Sequence, residues 1–194
     1  MVQHRDVTSW LSLIKIMNIE KALSIGGWMS QRELLWLAFR ANLSKTIMEI
    51  GCHRGRSTRA MADNTSGVIY AVDPWVAEYY NDDGSIFSSC MNVYDVFEHN
   101  LKDHIQSGRV IPVKEYSYNL NPLVKFDFTF IDGDHRYHSV KQDIEIALKS
   151  TKTGGVIAGH DYTHTDWPGV KKAVDEFFGD KIKLTDSIWW VAND

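Results

Sequence analysis

What the 194-residue chain has little of narrows its reading first. Its two cysteines, Cys52 and Cys90, are too few for a disulfide framework and lack the paired spacing of a structural zinc site, so both are read as reduced thiols. No apolar run reaches the roughly 20 residues that a membrane span requires. The opening "MVQHRDVTSW" lacks the charged-then-apolar layout of a signal peptide, which gives the expectation of a cytoplasmic protein. There is no basic excess either: the net charge of −4 leaves no general footprint for nucleic acid or an anionic membrane. Linkers, internal repeats and low-complexity tracts are also missing. What is present is 44% hydrophobic and 24% charged residues, a globular balance in a length that suits one domain over residues 1–194.

Within that length the apolar pattern changes character once. Residues 1–45 read as a helical segment: apolar residues recur at helical spacing from Ser9 to Ile19, and a second amphipathic stretch runs from Ser30 to about Asn42, with Ser30 and Glu33 placed as a capping box. From residue 46 onward, "TIMEIG", "GVIYAVD", "RVIPV", "FDFTFID" and "GGVIAGHD" are short apolar runs bounded mostly by Gly or Asp, the pattern of buried parallel strands. Helical stretches fall between and after them, at about Ser57 to Asp63, Val93 to Ile105, Ser139 to Leu148 and "VKKAVDEFF". The final "KIKLTDSIWWVAND" offers an antiparallel hairpin turning at Asp186 and Ser187. The expected fold is α/β: a doubly wound, mostly parallel, Rossmann-like sheet over residues 46–194, behind N-terminal helices. Its ligands belong at the carboxyl ends of the strands.

The first such end is "MEIGCHRGRST". Gly51 and Gly55 permit a tight turn with close backbone approach to a ligand, and the free N–H groups of the next helix begin near Ser57. Asp73 closes the second strand, where an acid in such folds meets ribose hydroxyls or, alternatively, caps the turn before Pro74. The loop is G-x-x-x-G and not the dinucleotide fingerprint, and Glu49 just before it suits a ligand carrying an amino group. Arg54, Arg56 and Arg59 read as a solvated basic face, with contact to a ligand carboxylate as the alternative.

The combination of Glu49, Gly51, Gly55 and Asp73 resembles the cofactor site of class I S-adenosylmethionine-dependent methyltransferases. The resemblance implies a glycine loop along the methionine part of the cofactor and Asp73 on its ribose. It narrows with "FDFTFIDGDHRYHSVKQDIEIAL" and "TGGVIAGHDY", which are similar to the branch holding macrocin-type sugar O-methyltransferases and cephalosporin-hydroxylase-like proteins; "IGGWMSQRE" fits the same branch. Through this likeness His135 is the expected general base, and Ser117, beside Glu115 and Tyr116, lies where relatives hold adenine. Asp132, assigned to both the cofactor and the metal, joins Asp161 and His160 in a site for Mg²⁺, or Mn²⁺ given the imidazole. Carboxylates at adjacent strand ends would repel unless a cation or proton lay between them.

The implied activity is a metal-assisted O-methyl transfer to a small hydroxylated acceptor such as a saccharide or glycosylated metabolite, with a homo-oligomer as an open expectation. Asp134 reads as a turn stabiliser, Asp143 as an orienter of His135, a local cap or a solvated acid, and Tyr137 and His138 as packing and surface. Trp75, Tyr79, Tyr80 and Phe87 in the long crossover offer flat faces to an acceptor, or pack in the core. Trp167 reads as bordering the acceptor or as a surface aromatic, and Trp28 as closing over the cofactor or docking the N-terminal helices. Two other readings stand beside these: a zinc hydrolase using His135, His138, His160 and His164, and a module that binds the cofactor without transferring the methyl group.

Overall fold

The computed structural model describes residues 16–76, 78–80, 86–89, 93–121 and 123–194. Two helices, α1 (Glu20–Ser24) and α2 (Gln31–Asn42), precede the sheet. The chain then runs β1 (Thr46–Ile50), α3 (Arg56–Ala62), β2 (Val68–Val72), β3 (Glu78–Tyr80), β4 (Ile86–Ser89), α4 (Val93–Gln106) and β5 (Val110–Val113). It finishes through β6 (Phe126–Ile131), α5 (Tyr137–Ser150), β7 (Thr151–Gly159), α6 (Pro168–Phe178), β8 (Lys183–Thr185) and β9 (Ile188–Asn193).

Among the described residues, seven strands form one sheet in the order β5-β2-β1-β6-β7-β9-β8. The first five are parallel, and β9 and β8 add an antiparallel hairpin at the edge of β7. After β5 the chain returns to the middle of the sheet and continues outward in the other direction, so the strand order reverses between β1 and β6. That reversal opens the crevice in which α/β sheets bind ligands.

Strand alternation assigns each side chain a layer. Ile47, Phe128, Phe130, Val156 and Ala158 pack beneath Leu34 and Leu37 of α2, Met61 of α3 and Phe97 and Leu101 of α4. Met48, Ile50, Ile131 and Ile157 face the opposite layer, with Val140 and Ile144 of α5 and Val170 and Val174 of α6. Phe128 and Phe130 are fully buried, and each side chain of this kind contributes about 1.5–3 kcal/mol. By the same alternation Glu49 points toward α3 and His160 toward α2, polar groups in otherwise apolar layers.

The capping box at α2 forms: Ser30 Oγ accepts from Glu33 N at 3.2 Å, and Glu33 Oε2 accepts from Ser30 N at 2.7 Å. Ile16 to Ile19 lie outside any helix, which starts only at Glu20, and the rest of the expected Ser9–Ile19 helix falls outside the described residues. Asn64 replaces helical bonding there, its side chain taking Asn18 N at 2.8 Å and giving a hydrogen bond to Asn18 O at 2.6 Å. In the long crossover, β3 and β4 form their own antiparallel pair; the side chains of Tyr79, Tyr80 and Phe87, and Cys90, lie outside the described residues. Trp75 is core and not an open face: it is buried against Tyr94 and Phe97, and its Nε1 donates to His53 O at 2.9 Å.

Candidate active site

The loop after β1 is built around two left-handed glycines, Gly51 and Gly55, both at φ 85°. The space a side chain would need is filled by protein. A Cβ on Gly51 would lie 2.1 Å from Asp132 O, and one on Gly55 would lie 2.3 Å from Leu101 Cδ2. Glycine therefore lets β1 end tight against β6 and α3 start tight against α4. Glu49 is completely buried and accepts from Ser57 Oγ and Thr58 Oγ1 on the first turn of α3. Burial raises its pKa to about 7 against the two hydroxyl donors, with the charge of Asp132 adding to the rise.

Asp73 ties this loop down. Its Oδ2 accepts from Cys52 N and His53 N, both at 2.9 Å, while Oδ1 accepts from Trp75 N at 2.6 Å. The carboxylate thus joins the β1 and β2 termini and also makes the turn anticipated before Pro74. His53 sits in the left-handed region at φ 46°, half-buried, with exposed Trp28 tilted over its ring at 5.8 Å. The segment carrying Trp28 is held by Arg56, whose guanidinium donates to Ile25 O, to Leu23 O at 3.3 Å and to Met29 O at 3.0 Å. Arg59 is buried against Asp63 and Asp103, so the expected basic face reduces to Arg54.

At the β6 and β7 ends, Asp132, His135 and Asp161 converge, each offering a ligand atom within 4.8 Å of the other two. His135 Nε2 lies 2.8 Å from Asp161 Oδ2, and Trp167 stacks on the imidazole at 4.7 Å. Asp161, two residues past the end of β7, has a left-handed backbone, φ 62°. Burial by itself would lower the pKa of His135, but the hydrogen bond to Asp161 and the charges of Asp161, Asp132 and Asp134 raise it. Burial pushes Asp132 above the carboxylate range, helped by the charge of Asp161. Asp161 lies below that range, because hydrogen bonds from His135 and His160 outweigh its desolvation. The Asp132 and Asp161 carboxylates supply oxygen donors that fit a hard divalent cation, with the His135 imidazole beside them already engaged by Asp161.

His160 stands one layer behind. Its Nε2 meets Glu33 Oε1 at 3.2 Å, and its Nδ1 lies 3.2 Å from Asp161 Oδ1 and 3.7 Å from Asp132 Oδ1. Both ring nitrogens are engaged by carboxylates. Desolvation opposes its charge, yet Asp132, Asp161 and Glu33 together raise its pKa to about 11.

The four-histidine zinc set does not assemble: His138 and His164 are exposed, and neither joins the Asp132, His135 and Asp161 group. Asp134 is a turn stabiliser, accepting from Arg136 N at 3.1 Å and Ser139 Oγ at 2.8 Å. Asp143 departs from all three of its readings. It is buried and accepts from Ser117 Oγ, tying α5 to the turn after β5, where its pKa is raised by burial to about 7. Thr58 and the reach of Glu33 went unseen in the sequence. The parity that puts Glu49 and His160 on one face of the sheet is the signal that points to both.

A family profile described as Methyltransferase domain matches residues 48–162. An uncharacterized protein of Acanthamoeba polyphaga mimivirus is 28% identical over 144 residues, 70% of this chain; the aligned part spans 60% of that relative's length. Among solved structures, an O-methyltransferase from Bacillus cereus in complex with S-adenosylhomocysteine superposes with a TM-score of 0.63 at 18% identity, over 98% of this chain and 93% of the other. A TDP-rhamnose 3'-O-methyltransferase of calicheamicin biosynthesis does so with a TM-score of 0.64 at 16% identity, over 95% and 91%. The chain belongs to the methyltransferase-domain family and has the fold of the class I S-adenosylmethionine-dependent methyltransferases.

Proposed function

We propose that the chain is an S-adenosylmethionine-dependent O-methyltransferase whose acceptor is a small hydroxylated molecule of the saccharide class. The observation that carries this reading is the convergence of Asp132, His135 and Asp161 beside the loop that Asp73 clamps. When bound, S-adenosylmethionine supplies an electrophilic methyl group on a sulfonium, so the chain's own task is to orient an acceptor oxygen and remove its proton. Gly51, Gly55 and Ser57 line the methionine end of the donor site. Glu49, sealed behind Ser57 and Thr58, makes that end negative toward an ammonium group without needing to touch it. In this reading Asp73 meets the ribose, and the turn carrying Ser117, whose own hydroxyl is held by Asp143, meets the base.

His135 would receive the hydroxyl proton as the methyl carbon bonds to the acceptor oxygen and parts from sulfur, which leaves as a neutral thioether. Asp161 holds the imidazole by its Nε2, and Trp167 fixes the ring plane, which leaves Nδ1 as the acceptor. Asp132 and Asp161 would hold a divalent cation, Mg²⁺ or Mn²⁺, which would lower the pKa of a nearby hydroxyl. His160 is better suited to orienting these carboxylates than to ligating, since Glu33 and Asp161 already occupy its nitrogens. The saccharide class is supported by the structural likeness to the TDP-rhamnose 3'-O-methyltransferase together with the motif likeness around Asp132 to Asp161. Labelled-methyl transfer to a panel of sugars and phenols, with and without chelator, tests it: label on sugars alone supports the acceptor class, and label on phenols alone overturns it.

A further inference from the structure

A capping box asks for one acceptor at its third helical position, and glutamine fills that role as well as glutamate. In this chain the position holds Glu33, only 4% exposed, although burying a carboxylate costs free energy unless it is fully paired. The cap uses one oxygen. The other faces away from the helix end and accepts from Ser187 N at 3.0 Å and from His160 Nε2 at 3.2 Å. Ser187 belongs to the turn between β8 and β9, and its carbonyl accepts from Tyr162 N at 3.1 Å, one residue past Asp161. Glu33 therefore grips the segment around Asp161 from both sides, 127 positions ahead of His160 in the chain.

The imidazole passes that grip on. Its two nitrogens are fixed relative to one another, so anchoring Nε2 on Glu33 dictates where Nδ1 points, which is at Asp161 Oδ1, 3.2 Å away. The other oxygen of Asp161 then meets His135. A left-handed backbone at a non-glycine residue such as Asp161, φ 62°, persists only where the surroundings over-determine it. We propose that Glu33 is a positioning residue of the reactive site: acting through His160, it fixes the Asp161 carboxylate at the distance from Asp132 and His135 that the chemistry needs. The N-terminal helix thereby becomes part of the active-site scaffold. This inference rests on reading Asp132, His135 and Asp161 as the reactive centre, and is limited to how that centre is held.

The test compares wild type with Glu33→Gln, His160→Gln and Ser30→Ala by crystallography and by Mn²⁺ titration followed by electron paramagnetic resonance. Ser30→Ala removes the cap and leaves the carboxylate in place. Glu33→Gln keeps a capping side chain but presents an amide to donors that now face a carboxylate, and His160→Gln removes the middle link should Glu33→Gln fail to fold. The expected result is that Asp161 leaves hydrogen-bond distance of His135 in both glutamine variants and keeps it in Ser30→Ala. Mn²⁺ affinity should fall about 10- to 100-fold in the same two variants, the usual effect of losing an outer partner of a ligand. Survival of the His135–Asp161 contact in whichever glutamine variants fold overturns the proposal, as does its equal loss in Ser30→Ala. Should wild type bind no Mn²⁺, the metal reading of the site falls, and the crystal structures alone decide the positioning role by the same criterion.

Discussion

Replacing Glu49 by Gln separates stability from donor binding, because the two should move in opposite directions. The carboxyl is wholly buried, and its pKa rises from 4.5 to about 7. An acid whose pKa is raised on folding holds more protons in the native than in the unfolded state between these two values, so its contribution to stability falls as pH climbs through that window. The span corresponds to roughly 3 kcal/mol of destabilisation, fully developed above about pH 7 and reduced to about 1 kcal/mol at pH 5. Glutamine has no such titration. Its amide can still meet Ser57 and Thr58, whose hydroxyls rotate to donate or accept. The cofactor-free variant should therefore melt higher than wild type, and the gain should grow by about 2 kcal/mol between pH 5 and pH 8, on the order of 4–8 °C in Tm for a chain of this size. Calorimetric titration of S-adenosylmethionine at pH 8 should show affinity weakened roughly 10- to 100-fold, the Coulomb scale of a unit charge several ångströms away at an effective dielectric of about 20. A thermal gain independent of pH would refute the buried-charge argument, and unchanged affinity would refute the place given to Glu49 at the donor site.

Asp73→Ala strips the hydrogen bonds from Cys52, His53 and Trp75, which should cost on the order of 2–4 kcal/mol in urea unfolding and weaken S-adenosylmethionine more than tenfold. His135→Ala should lower kcat about 10²- to 10⁴-fold while the Kd for S-adenosylmethionine stays within about twofold; equal losses in both would remove it from the base role. Arg59→Leu leaves the Asp63 carboxylate, its side chain 8% exposed, with His104 as its remaining side-chain partner and should destabilise by about 3 kcal/mol or more. Lys21→Ala, at an ion pair with both partners more than half exposed, should change stability by less than about 0.5 kcal/mol.

The parallel strands were legible because most are apolar runs stopped by Gly or Asp, and the hairpin because Asp186 and Ser187 interrupt an apolar C-terminus. The capping box was legible because its partners sit three residues apart. The active-site strand ends followed from topology: once β1, β2, β6 and β7 are parallel, Glu49, Asp73, Asp132 and Asp161 come to one edge. Contacts set by packing across long separations were not legible. Nothing local in "SQRE" says that Glu33 will reach His160, and nothing near Asp143 says that Ser117 will meet it. The glycines show a further limit. Their left-handed backbone is predictable from the turn, but that Asp132 O and Leu101 fill the space beside them depends on how closely β6 and α4 approach. The Trp75 ring was open to two readings for a similar reason, since its burial depends on α4 closing over it.

The most direct test of the account is transfer of a labelled methyl group from S-adenosylmethionine to hydroxylated acceptors, run side by side with wild type and Asp132→Asn. The account predicts oxygen-linked label from wild type, lost on chelation and absent from the variant. Label that appears only on nitrogen or carbon, or oxygen methylation that Asp132→Asn leaves intact, would contradict it.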